Sequence, residues 1–98
     1  MVPFKIIENS FMARIARLVL KTDNVAMVLG KSIYLSGVPK EKFLTNQAWL
    51  AHELCHIEQF RQYGFFRFLG LYLLESMKVG YYHNKFEAEA RAAERNAG

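Results

Sequence analysis

The chain has 98 residues, of which 52% are hydrophobic and 22% charged, and its formal net charge is +4 at pH 7. This composition excludes intrinsic disorder, which requires low hydrophobicity together with a high net charge. A chain of this length builds one modest core, so we expect residues 1–98 to form a single domain with any functional site on that core or its rim.

The cysteine content and the apolar runs bear on the compartment. The single cysteine, Cys55, cannot form a disulfide within the chain, which excludes a small secreted scaffold held by disulfide bonds. The first ten residues lack the continuous apolar stretch of a signal peptide, because Lys5 and Glu8 interrupt them. The most apolar run, residues 65–74, is shorter than the roughly 20 residues that cross a membrane and contains Arg67. These observations favour a cytoplasmic protein with no membrane span.

The first half of the chain predicts a helix followed by a hairpin. Residues 4–20 place apolar side chains three or four residues apart, which predicts an N-terminal helix, although Asn9 and Ser10 could start it later. Residues 25–29 and 32–36 are two short β-prone runs across a Gly turn, which predicts a β-hairpin that lies against helices. The apolar helix positions are Phe4, Ile7, Phe11, Ile15, Leu18 and Val19.

The second half is helical in pattern from Glu41 or Thr45 onward. Apolar residues keep helical spacing up to Gly64, which predicts one central helix that ends at this glycine. A very apolar helix is predicted from residue 65 to about residue 78, and Gly80 interrupts it.

The last part of the chain predicts a connector and a final helix. Residues 81–83 form the connector, and Asn84 is the predicted N-cap of a helix that runs through Arg95. The predicted fold class is therefore α+β and mostly helical. It consists of an N-terminal helix, a short β-hairpin or small sheet, a central helix, an apolar helix and a C-terminal helix that carries glutamates.

The central helix contains His52-Glu53-Leu54-Cys55-His56, the H-E-x-x-H pattern. Positions i and i+4 share one face of an α-helix, so both imidazoles can bind a single Zn²⁺ at about 2.0–2.1 Å. Glu53 follows the first histidine and can act as the general base that takes a proton from a zinc-bound water. The competing interpretation is a pair of surface histidines on an amphipathic helix.

A catalytic zinc site requires a third protein ligand and one open position. Gln62 stands where the compact extended form of the motif has its third histidine, so the third ligand comes from farther along the chain. Glu87 and Glu89 are best placed, on a helix that can pack across the motif helix. The full set of candidates is Glu75, His83, Glu87, Glu89 and Glu94.

This motif, followed by a glutamate on a downstream helix, resembles the gluzincin metallopeptidases, and the size of the chain resembles the single-domain minigluzincins. The resemblance covers roughly residues 25–95, including HELCHIEQ and the segment NKFEAEAR. It implies that Glu87 is the third ligand, with Glu89 as the alternative. Gluzincins commonly have an Asp four residues after this Glu, where the chain has Arg91. The resemblance also implies an oxyanion donor, and the candidates are Tyr81, Tyr82 and His83.

Other roles remain open for two of the residues. Asn84 followed three residues later by Glu87 fits a capping box, in which the glutamate would bond the N-cap amide. Cys55 is predicted to lie on the side of the helix away from the ligands as a buried small hydrophobe.

The predicted function is zinc-dependent hydrolysis of peptide bonds, with His52, His56 and Glu87 as ligands and Glu53 as base. The substrate is a peptide or protein that lies along residues 31–36 as an added strand. Alternatives are a zinc hydrolase with another substrate, a latent or inactive zinc-binding protein whose cleft is filled by the chain's own C-terminal segment or by self-association, and a non-enzymatic helical module that binds a partner. Nucleic acid is not expected, because the basic residues of the first helix are few: Arg14, Arg17 and Lys21.

Overall fold

A computed structural model describes residues 4–97, so the two ends of the predicted domain, residues 1–3 and Gly98, lie outside the described residues. The prediction of an α+β, mostly helical fold is confirmed. No helix among residues 4–97 is long and apolar enough to cross a membrane. The elements in chain order are β1 (Lys5–Ile7), α1 (Phe11–Leu20), β2 (Val25–Leu29), β3 (Ser32–Ser36), α2 (Lys40–Thr45), α3 (Gln47–Tyr63), α4 (Phe65–His83) and α5 (Lys85–Ala97).

The N-terminal helix begins later than the apolar spacing from Phe4 predicts. Residues 5–7 instead form β1, which pairs in parallel with β3, and the prediction of helix over this stretch is wrong. Helix α1 begins after Ser10, whose side chain accepts a hydrogen bond from the Ala13 amide, as the alternative start predicts. The physical reason is that Ile6 packs against the core of the sheet, which a helical turn at this point would prevent.

The predicted hairpin is confirmed, and Gly30 makes its turn with a φ of 65°. The strand order is β1-β3-β2, so β3 is the central strand. The prediction that residues 31–36 offer an unpaired edge is therefore wrong, because β1 pairs with the side of β3 that the hairpin leaves free. The free edge next to the helices belongs to β2.

Helices cover both faces of this sheet. Ile33 and Leu35 of β3 are fully buried against Phe43 of α2 and Ile57 of α3. Successive side chains of a strand point to opposite faces, so Ser36, which accepts a hydrogen bond from Arg17 of α1 at 3.2 Å, lies on the other face. The core therefore holds α3 under the sheet, and α1 lies above it.

The second half contains four helices, because residues 40–45 form a separate short helix before α3. Helix α3 ends at Gly64, which has a φ of 86°, and α4 kinks at Gly80, which has a φ of 82°. The predicted connector at residues 81–83 is instead a helical turn after this kink. Phe60, Phe68 and Phe86 form a second buried cluster that joins α3, α4 and α5, with ring centroids of Phe60 and Phe68 4.6 Å apart.

Candidate metal centre

Three side chains of the predicted site converge between α3 and α5. His52 and His56 lie one turn apart on α3, and Glu87 lies in the first turn of α5. The Glu87 Oε1 atom is 3.0 Å from His52 Nε2 and 3.2 Å from His56 Nε2. One ligand atom from each of the three residues lies within 4.8 Å of the other two, which is a spacing that can hold one metal ion. His56 and Glu87 are buried, and Glu87 is only 3% exposed.

The start of α5 places Glu87 against the two histidines. Asn84 is fully buried, accepts a hydrogen bond from the Phe86 amide at 2.8 Å and donates one to the Tyr72 carbonyl at 3.1 Å. The Phe86 ring packs in the aromatic cluster beside it, so this helix terminus is held from two sides. The Asn84 amide donates to the Tyr81 carbonyl rather than to Glu87, so the predicted capping box is wrong and the Glu87 carboxylate is free to face the histidines.

A glutamine fixes the orientation of the His56 ring. Gln59 Oε1 lies 2.8 Å from His56 Nδ1, and Gln59 Nε2 donates to the Phe86 carbonyl and to Glu89. Because the amide nitrogen is already engaged as a donor, the amide oxygen is the atom that faces the imidazole and can only accept. His56 Nδ1 therefore carries the hydrogen, and the lone pair of Nε2 points toward Glu87.

A glutamate fixes the orientation of the His52 ring in the same way. Glu94 contacts His52 Nδ1, so this nitrogen donates and Nε2 again presents its lone pair to Glu87. Position 91, where the resemblance to gluzincins implies an Asp, holds Arg91, which donates to the Tyr82 carbonyl at 2.6 Å. Sequence reasoning considered Glu94 only as a third ligand. The signal that could have found it is its spacing of seven residues from Glu87, which puts both side chains on one face of α5.

These orientations leave three acceptor atoms facing one another: two imidazole lone pairs and one carboxylate oxygen. Such atoms repel at 3.0–3.2 Å unless protons or a metal cation lie between them. With protons there, burial lowers the pKa of His52, but its hydrogen bond to Glu87 and the charge of Glu53 outweigh burial and raise that pKa to about 9. For Glu87, burial favours the neutral acid, yet hydrogen bonds from His52 and His56 hold the pKa below its usual range.

The donor set fits zinc. Two neutral imidazoles and one carboxylate form the His₂Glu ligand set of hydrolytic zinc sites, which leave a further position open. The outer partners Glu94 and Gln59 give each imidazole the hydrogen-bonded orientation that metal-ligating histidines have in general. Zn²⁺ can therefore take the place of the protons among the three acceptors.

Glu53 lies on the same turn of α3 as His52 and is 5% exposed. Burial raises its pKa to about 7, although the charges of His56 and His52 act in the opposite direction. A carboxylate with a pKa near neutrality can both accept and return a proton at pH 7. This is the behaviour that the sequence predicts for the general base.

The site opens into a cleft between the free edge of β2 and helix α4. One part, of about 320 Å³, is lined by His52, Glu53 and His56, by all five residues of β2 and by apolar side chains of α1 and α4. A second part, of about 370 Å³, also contains His52 and Glu53 and extends toward Trp49 and Glu94. The cleft therefore continues on both sides of the candidate centre.

Two tyrosines of α4 lie at this centre. Tyr81 lines both parts of the cleft, and burial together with the charge of Glu87 raises its pKa to about 12. Tyr72 donates its hydroxyl hydrogen to Glu87 Oε2. Sequence reasoning missed Tyr72 because its apolar neighbours predict a core position. The other two predicted oxyanion donors lie elsewhere: Tyr82 stacks under Arg91 at 4.3 Å, and His83 is exposed next to Tyr82.

The remaining candidates for a third ligand lie apart from the centre. Glu89 accepts hydrogen bonds from Gln59 at 2.8 Å and from the Cys55 thiol at 3.7 Å, and it contacts neither His52 nor His56 through a hydrogen bond among the described residues. Glu75 accepts from the Lys85 amide. Cys55 is only partly buried, and burial with the nearby charge of Glu89 raises its thiol pKa to about 11, which keeps it unreactive.

Comparison of the chain with known family models, curated proteins and solved structures gives no match. The resemblance to gluzincins stays a prediction that depends on the motif residues. That the three converging side chains bind zinc also stays a prediction.

Proposed function

We propose that the protein is a zinc-dependent metallopeptidase, a hydrolase in which His52, His56 and Glu87 hold Zn²⁺ and Glu53 acts as the general base. The observation that carries this proposal is the convergence of the three donor atoms within 4.8 Å beside a buried glutamate. The single cysteine supports our placing this activity in the cytoplasm.

Zinc, when bound by these ligands, supplies a Lewis acid that polarises a carbonyl and makes a water molecule acidic at neutral pH. Glu53 accepts the proton of the attacking water and passes it to the departing amine. The raised pKa of Glu53, about 7, suits both transfers. Tyr81 lines the cleft next to Glu53 and can donate a hydrogen bond to the carbonyl oxygen as negative charge develops on it.

The free edge of β2 supports a peptide as the substrate. An edge strand presents unpaired amide and carbonyl groups, which an extended peptide can pair with as an added strand. All five residues of β2 line the cleft that contains Glu53, and the cleft continues on both sides of it. A peptide along β2 therefore has room for residues on both sides of the bond that is cleaved.

The test compares Glu53→Ala with the wild type at equal zinc content, on a library of unstructured peptides. Glu58→Ala is the matched control, because Glu58 lies on the same helix and faces solvent, where it pairs with Arg61. We expect cleavage by the wild type and the control and none by Glu53→Ala. Cleavage by Glu53→Ala at the wild-type rate contradicts the mechanism. If the wild type binds stoichiometric zinc but cleaves no peptide, this result contradicts the proposed peptidase activity and favours a latent zinc-binding protein.

A further inference from the structure

Helices α1 and α4 carry the most exposed large apolar side chains among the described residues. Leu18 of α1 is 79% exposed, and Phe66 and Met77 of α4 are 84% and 82% exposed. Only Ala13 of α1 is buried, so the apolar stripe of this helix faces solvent instead of the core. Large apolar side chains that are exposed in such number mark an interaction site.

These side chains form one stripe on each helix. Helical geometry places Phe11, Ile15 and Leu18 on one face of α1, and it places Phe66, Leu73 and Met77 on one face of α4. All six are exposed.

The two helices lie on opposite borders of the same cleft. Leu20 of α1 and Leu73 of α4 both line the cleft that contains Glu53, and both are exposed. Leu73 belongs to the stripe of α4, so that stripe borders the cleft. Leu20 lies on the side of α1 opposite Phe11 and Leu18, so the stripe of α1 faces solvent away from the cleft.

Exposed cations lie on the same two helices as the stripes. Arg14 of α1, Lys21 at its C-cap, and Arg67 and Lys78 of α4 are exposed, and none of them forms an ion pair within the part of the chain that the structure describes. Helix α1 contains no acidic residue, and the only one in α4, Glu75, accepts a hydrogen bond from the Lys85 amide.

We propose that α1 and α4 form a docking surface for a bilayer of anionic lipids. Protruding apolar side chains enter the boundary between headgroups and acyl chains, and the flanking cations contact the lipid phosphates, as in interfacial amphipathic helices. The surface does not include the candidate zinc ligands, so docking and metal binding are separate properties.

The charge pattern argues against a second copy of the chain as the occupant. A two-fold dimer brings the same surface of both subunits together. Arg14 and Lys78 would then face another positively charged surface, and like charges across an interface oppose association. An anionic bilayer complements the same charges.

The experiment measures cosedimentation of the full chain with phosphatidylcholine vesicles and with mixed phosphatidylcholine–phosphatidylserine vesicles. One double variant, Leu18→Gln with Met77→Gln, removes two apolar contacts that do not line the cleft. A second, Arg14→Glu with Lys78→Glu, reverses two positive charges. Its matched control, Lys40→Glu with Lys42→Glu, makes the same change of net charge on the exposed surface of α2. Circular dichroism checks that each variant is folded.

We expect the wild type to bind the anionic vesicles and not the neutral ones. Each cation near an anionic surface contributes about fivefold in binding, so the charge variant should bind at least about 25-fold more weakly, while the control stays close to the wild type. The apolar double variant also binds more weakly. Equal binding by the charge variant and its control, or no wild-type binding to anionic vesicles, overturns the proposal.

Two further measurements distinguish lipid docking from self-association and from the proposed zinc binding. A dimer in solution by light scattering that Leu18→Gln with Met77→Gln converts to a monomer shows that a second copy covers the surface and overturns lipid docking. His56→Ala, which removes a predicted zinc ligand, should bind vesicles like the wild type. Loss of zinc with vesicle binding retained therefore separates failure at the metal centre from failure at the docking surface.

Discussion

Two regions of the molecule reverse the usual distribution of polar and apolar side chains between interior and surface. They are the interface between α3 and α5 and the outer faces of α1 and α4. Between α3 and α5, charged and polar groups are buried, including Glu53, His56, Gln59 and Glu87. On α1 and α4, large apolar groups such as Phe66 are exposed. Buried charged groups and large exposed apolar groups are both uncommon in folded proteins, so both regions are candidates for binding.

The two regions differ in the kind of partner that each one needs. Each buried polar atom between α3 and α5 has a hydrogen-bond partner among the described residues, yet the partners at the centre are acceptors that need protons or a metal cation between them. The exposed apolar faces need a surface that removes them from water. We therefore propose a small cation as the partner of the first region and an extended surface as the partner of the second.

The largest effect on zinc affinity is expected when the glutamate at the candidate metal centre is replaced. Glu87→Gln replaces a charged ligand with a neutral amide, so we expect zinc affinity to fall by more than the roughly 10–100-fold that loss of an outer partner costs. Glu89→Gln is the matched control on the same helix, and its zinc affinity should equal that of the wild type. Competition with a chelator measures both. Equal losses in the two variants would sink the assignment of Glu87.

A smaller loss of zinc affinity is expected when the carboxylate that contacts His52 Nδ1 is neutralised. Glu94→Gln leaves the ligands in place but weakens the hydrogen bond that orients the ring, so zinc affinity should fall about 10–100-fold. Arg91→Ala, at the position where the resemblance predicts the carboxylate, should have no effect because Arg91 bonds the Tyr82 carbonyl. A larger loss in Arg91→Ala than in Glu94→Gln speaks against the role given to Glu94.

Protons should leave the centre when zinc enters. The pKa of His52 is raised to about 9 in the metal-free protein, so this ring carries an extra proton at pH 7, and the pKa of His56 is also raised. Zinc requires neutral imidazoles, so binding at pH 7 should release at least the extra proton of His52, and affinity should rise with pH up to about 9 and then level off. Titration calorimetry in buffers of different ionisation enthalpy counts these protons. Binding without proton release contradicts this description of the metal-free centre.

The smallest effect is expected on stability, when exposed apolar residues of α1 and α4 are replaced. Leu18→Gln and Met77→Gln should each change the free energy of unfolding by less than about 0.5 kcal/mol, because both side chains are already in water. Ile57→Gln, which places an amide in the core, is the destabilising control. Denaturant unfolding measures all three. A large loss of stability in Leu18→Gln would mean that the face is packed.

The sequence predicts the local features well and the long-range ones poorly. Helical spacing and the i, i+4 rule are enough to place His52 and His56 on one face, and the glycine turn is enough to predict the hairpin. The strand β1 could not be predicted, because residues 5–7 are extended only through pairing with β3. For the same reason the sequence could not show that β2 is the free edge.

The outer partners of the histidines show the same limit. Gln59 lies three residues after His56, within reach of helical periodicity, whereas Glu94 is 42 residues from His52 and meets it only because α5 packs across α3. The motif therefore predicts the ligands, but which side chains orient them depends on how the helices pack.

The most direct test of the account is the zinc content of the protein purified without added metal, measured beside two histidine variants. We predict about one zinc per chain in the wild type and in His83→Ala, whose histidine is exposed and apart from the centre, and none in His56→Ala. A wild type that carries no zinc and cannot be loaded with it, or a His56→Ala variant that keeps its zinc, would contradict the central claim.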